Sequence, residues 1–194
     1  MKKEAEKSKL LFSSKTPFNK KKGQVWIETA MYILIATVII GLVISFVGPK
    51  ISEMQDKAIL ENSATMLRDL DNMISSIVQD GAGNVRKIEL PLKKGALTIN
   101  SSSDKIIFEM EGRYAYSEPG KSVTQGNLVI YTRQTGNLNI VNMTSSYPNY
   151  NITFNGADQI KSLSQSPNPY TIYISNQGTS TPGTSKPVIN FEIK

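Results

Sequence analysis

An α+β fold is predicted for this 194-residue chain: a long N-terminal helix, half membrane-spanning and half amphipathic, packed against a C-terminal antiparallel β-sheet that forms a sandwich or partial barrel. Three features predict it. The stretch from Val25 to Val47 is apolar and carries a single charge, Glu28. From Ile51 to Ile77 apolar residues recur at three- and four-residue steps, the helical period. After Val85 the pattern changes to short β-branched and aromatic runs separated by Gly, Asn, Pro and Ser.

Residues 1–23 form a basic leader, with eight Lys and two Glu, whereas the remaining 171 residues balance 14 Lys plus Arg against 14 Asp plus Glu. The isoelectric point near 9.4 therefore belongs to the leader. Nucleic-acid binding needs positive charge spread over a folded surface, and the neutral remainder argues against it. Lys20, Lys21 and Lys22 stand directly before the apolar run, which by the positive-inside rule keeps the N-terminus cytoplasmic and sends the C-terminal part outside the cell.

Residues 24–48 make the membrane segment. As a helix, Val25 to Val47 spans about 35 Å, enough for the roughly 30 Å hydrocarbon core of a bilayer. A cleaved secretory peptide has a shorter apolar region and a small-residue cut site, so membrane lipid is the expected surround of a retained helix. Gly48 and Pro49 follow and are expected to interrupt and kink the helix near the outer interface. Residues 49–80 read as an amphipathic helix, with Ile51, Met54, Ala58, Ala64, Leu67, Leu70, Ile74 and Ile77 on one stripe among Glu53, Asp56, Lys57, Glu61, Arg68, Asp69 and Asp71. Gly81 and Gly83 in "QDGAGN" suit a helix C-cap and turn.

Residues 81–194 form the extracellular β domain. About eight strands are expected, from "KIELPL", "ALTI", "KIIFEME", "YAYS", "NLVIYT", "LNIVNM", "NITF", "YTIYIS" and "VINFEI". "LKKGAL" reads as a hairpin turn, "SSSD" as a polar loop and "NQGTSTPGTSKP" as a long exposed loop. With no Cys, no disulfide staples this domain.

The inventory also argues against an enzyme. The chain lacks His and Cys, so imidazole and thiolate metal sites and Ser-His or Cys-His nucleophile pairs are absent. Glu109 and Glu111 share a strand face, but a solvated face accounts for them better than a catalytic pair. No calcium-loop pattern occurs, and no cofactor is expected. Sequons at Asn100, Asn142 and Asn151 are potential N-glycosylation acceptors; in a chain rich in Asn, Ser and Thr such motifs also arise by chance. Tyr147, Tyr150 and Tyr170 suit either adhesion or, as the default, core packing.

Glu28 admits two readings. It can snorkel to the headgroups from near the helix start. Alternatively it pairs with a cation at its own depth, and a cut after Gly23 creates one: the α-amine of Gln24, about 6 Å along the axis. On a neighbouring copy that ammonium neutralises Glu28 and sets the register between subunits.

"KKKG" followed by "QVWIETAMYILIATVIIGLVISFV" resembles the class III signal peptide of type IV pilin-like proteins. The resemblance implies that a prepilin peptidase cuts after Gly23, that Gln24 becomes the new N-terminus, and that Glu28 aligns subunits as they assemble. Gln24 points to the archaeal branch. The implied protein is a structural subunit whose partners are the peptidase and other pilins or copies of itself. It sits in the cell membrane before assembly and in an extracellular filament afterwards. Two alternatives stay open: an uncleaved single-pass anchor displaying a binding or adhesion domain, and a minor or pseudopilin-like component of a secretion or uptake system.

Overall fold

A computed structural model describes residues 20–179 and 186–193, with side chains from Gln24 onward. The leader before Lys20, and half of the Ser- and Thr-rich stretch expected as a long loop (residues 180–185), lie outside the described residues. The fold is α+β. The chain divides into two compact units between Gly48 and Pro49.

One helix, α1, runs Lys20–Asp80, and its most apolar window has a mean hydropathy of 2.7. By length and composition this helix can cross a membrane. Pro49 sits inside it, and the helix runs on through Gly48 and Pro49, where an interruption was expected. Proline removes one N–H and leaves the carbonyl of Ser45 without its usual donor, a local loss that the flanking turns tolerate.

Ten strands follow among the described residues: β1 Val85–Leu90, β2 Ala96–Asn100, β3 Lys105–Gly112, β4 Ser122–Gln125, β5 Leu128–Thr135, β6 Leu138–Ser146, β7 Asn151–Phe154, β8 Ile160–Ser164, β9 Tyr170–Thr179 and β10 Pro187–Ile193. They form a four-stranded sheet, ordered β1-β9-β10-β7, and a six-stranded sheet, ordered β4-β5-β6-β3-β2-β8. All pairings are antiparallel except β7 with β10, and the sheets pack without closing into a barrel.

The C-terminal part of α1 and both sheets share one core. Leu60, Ala64, Leu67, Leu70, Ile74 and Ile77 on the helix are buried in the same cluster as Phe108 and Val141 of the larger sheet and Ile174 and Phe191 of the smaller. The buried helical stripe differs from the expected one at its start. Ile51, Met54 and Ala58 are exposed, Met54 to 71%. Asp56, expected on the polar face, opens the buried stripe at 3% exposure. The steps Asp56, Leu60, Ser63, Leu67, Leu70, Ile74, Ile77 alternate four and three, so the period holds while its phase is shifted.

Three local expectations are corrected. "LKKGAL" is no hairpin, because β1 pairs with β9 and β2 pairs with β3 and β8; the segment carries the chain from one sheet to the other. "YAYS" forms no strand: Ser117 bonds through its N–H and hydroxyl to Thr132 Oγ1, at 3.1 and 2.9 Å, instead of joining a ladder. Asn176, expected in the long loop, is a buried residue of β9. Its backbone carbonyl accepts the Gly83 N–H at 2.7 Å and its side chain donates to the Ile77 carbonyl at 3.3 Å, tying the helix end to the smaller sheet. Gly81 has φ of +92° and its N–H reaches the Val78 carbonyl, the expected glycine stop of α1.

Candidate functional site

The N-terminal unit offers the largest exposed apolar surface. Along residues 25–47 every large hydrophobic side chain is exposed, from Val47 at 44% to Phe46 at 77%. The polar groups in this stretch satisfy themselves locally. Thr29, Thr37 and Ser45 donate their hydroxyls to the carbonyls of Val25, Ile33 and Gly41, one turn back, at 2.8–2.9 Å. These bonds close hydroxyls that lipid or a neighbouring apolar helix would leave without partners. Trp26, Thr29, Ala30, Ile33, Leu34 and Thr37 line a shallow groove on the same unit.

Glu28 is exposed and has no ion pair among the described residues. Its Oε1 accepts a hydrogen bond from Gln24 Nε2 at 3.2 Å, one turn earlier on the helix. Beyond the α-amine expected of Gln24 after cleavage, its side chain is an additional partner of Glu28, brought beside it by the helix. Lys20, Lys21, Lys22 and Gly23 have helical backbone, and the lysine side chains are outside the described set.

In the β domain the expected acids do not converge. Glu109 and Glu111 are exposed on β3, facing Asn142 and Ile140 in register, a solvated strand face. Among the described residues no cluster of three or more His, Cys, Asp or Glu is placed to hold a metal ion. Among the described residues Asp56 is the one deeply buried carboxylate, and its partners are structural. It holds Lys94 Nζ at 2.5 Å and accepts the Arg113 N–H at 2.7 Å. Gly112 lies against it, since a Cβ there would come within 2.7 Å of Asp56 Oδ2.

A polar cleft between α1 and the β4–β5 turn, lined by Arg68, Asp71, Gln125, Asn127 and Ser145, is also held by its own groups. Arg68 bonds Gln125, and Asn127 Nδ2 bonds Asp71 Oδ1 at 3.0 Å. Tyr147 is buried and stacks on Tyr150 with centroids 6.2 Å apart, in keeping with core packing. Burial pushes its hydroxyl pKa well above the usual tyrosine range, and the negative charge of Asp71 adds to the rise.

The three sequons fall on strands. Asn142 is half-buried in β6, its Oδ1 accepting the Thr144 hydroxyl at 2.8 Å. Asn151 opens β7, and Asn100 closes β2 with a buried Oδ1 that has no hydrogen-bond partner. Comparison with protein-family models, with curated proteins and with solved structures gives no match.

Proposed function

We propose that this chain is a pilin-like structural subunit of an archaeal type IV pilus-like surface filament. One observation carries the reading: an apolar helical stretch, residues 25–47, whose large hydrophobic side chains are all exposed and whose single charge, Glu28, lacks a cation among the described residues. Such a surface needs lipid or other helices around it, and an unpaired carboxylate near the interface costs about 1–3 kcal/mol in lipid.

In this reading the chain is inserted with Lys20, Lys21 and Lys22 on the cytoplasmic side and the β domain outside. A prepilin peptidase cuts between Gly23 and Gln24. The α-ammonium of Gln24 on one subunit then neutralises Glu28 on the next as the helix leaves the bilayer for a bundle of its copies. The driving force is helix packing, and the charge pair penalises wrong registers. In this reading the chain's role is structural.

The test is the N-terminal sequence of the membrane-associated protein from cells that possess a prepilin peptidase, together with filament yield for Glu28→Gln. The expected result is a chain beginning at Gln24 and a variant that is cut normally yet assembles poorly. A chain still carrying its lysines would leave an uncleaved anchor displaying the β domain. A cut chain that never enters a fibre would place it with pseudopilin-like components.

A further inference from the structure

Cleavage after Gly23 exposes a particular chemical hazard. An N-terminal glutamine can cyclise: its α-amine attacks Cδ of its own side chain, an N–Cδ bond forms, the Cδ–Nε2 bond breaks, and Nε2 departs as ammonia with a proton from the attacking amine. The product is a neutral lactam. It carries no ammonium, so it cannot neutralise a carboxylate on a neighbour. The function proposed above depends on that ammonium surviving.

The geometry of the helix bears on this reaction. Gln24 Nε2 donates to Glu28 Oε1 at 3.2 Å. Glu28 lies about 6 Å further along the helix axis, so the bond draws the amide toward the C-terminal side of its own residue. Ring closure needs Cδ within roughly 3–3.5 Å of the α-nitrogen, on the opposite side, in an attack geometry. The hydrogen bond and the ring closure therefore compete for one side chain. The competition is strongest in apolar surroundings, where water does not replace the bond.

Glu28 also has capacity for both partners. A carboxylate accepts through two oxygens. Oε1 takes the amide of Gln24, and Oε2 has no hydrogen bond or ion pair among the described residues. One oxygen is occupied within the chain and the other is open to a cation from elsewhere.

We propose that the Gln24 side chain is the positioning partner of Glu28, and that this hydrogen bond keeps the mature N-terminus an open, charged amine by holding the amide away from it. The proposal rests on the cleavage reading above. It makes Glu28 act twice, as guardian of its own chain's terminus and as acceptor of a neighbour's.

The test uses the full mature protein extracted in detergent micelles, incubated at neutral pH, with the N-terminal peptide read by mass spectrometry for open amine and lactam. Wild type is compared with Glu28→Gln, whose amide oxygen still accepts the bond, and Glu28→Leu, which removes it. The expected result is slow cyclisation in wild type, a rate within a few-fold of it in Glu28→Gln, and roughly tenfold faster cyclisation in Glu28→Leu, the factor such a bond supplies. Equal rates in wild type and Glu28→Leu overturn the positioning role and leave the pilin reading intact. A chain that retains its leader overturns both.

Discussion

Asp56 shows how one residue can reverse its apparent role. Among the charges of a helix it looks like part of a solvated face, yet it sits at the head of the buried stripe with Lys94, the Arg113 N–H and Gly112 around it. Removing the carboxylate leaves a partly buried ammonium and a backbone donor unpaired. Asp56→Ala is expected to destabilise the protein by about 2–4 kcal/mol. Gly112→Ala drives a methyl into the carboxylate and is expected to cost about 1–3 kcal/mol. In the Asp56→Ala background that second cost falls below about 1 kcal/mol, because the obstructing group is gone. Denaturant unfolding of the four full-length proteins in detergent gives the coupling, and simple additivity would reject a direct contact. The signal for Asp56 was present in the sequence as a four-residue step before Leu60, but a period does not reveal its phase at a stripe's end.

At the scale of elements, glycine separates connections that resemble one another in sequence. The β4–β5 and β5–β6 hairpins both turn through Gly-Asn, with Gly126 at φ +63° and Gly136 at φ +61°, in open space. Glycine with positive φ at the first central position is the type II′ preference. Gly95 has φ +83°, but a Cβ there would lie 2.5 Å from the Glu109 carbonyl oxygen, because Gly95 directly precedes β2 where it pairs with β3, Ala96 opposite Glu109. Gly136→Ala is expected to cost about 1–2 kcal/mol for backbone conformation alone. Gly95→Ala is expected to cost about 1–3 kcal/mol more, the added part being the clash. Comparing unfolding midpoints of the two variants checks this, and equal losses would remove the close approach as a cause. The strands overlooked in sequence, β4 and β8, are the two edges of the six-stranded sheet, where one neighbour and exposed, polar side chains weaken the alternating pattern.

For the whole molecule, the consequence of a shared core is cooperativity within the C-terminal unit. Ile74 is fully buried in the cluster that includes strands from both sheets. Ile74→Ala is expected to cost about 2–5 kcal/mol. If the core is one unit, amide exchange at Ile130 in β5 and Ile174 in β9 accelerates by the same factor; acceleration in one sheet alone would mean that the sheets open separately. The long apolar helix, the glycine stop at Gly81 and the change to β-structure after it were all determined by the sequence itself, because periodicity and chain-breaking residues act over a few neighbours. The lone charge Glu28 was equally visible, whereas its bond with Gln24 required the helix to place the two side chains together. Only the tertiary structure decided that the strands divide into two sheets, that β7 runs parallel to β10, and that "LKKGAL" crosses between sheets. Strand pairing joins residues far apart in the chain, and neither alternation nor turn composition encodes which partner lies across the ladder.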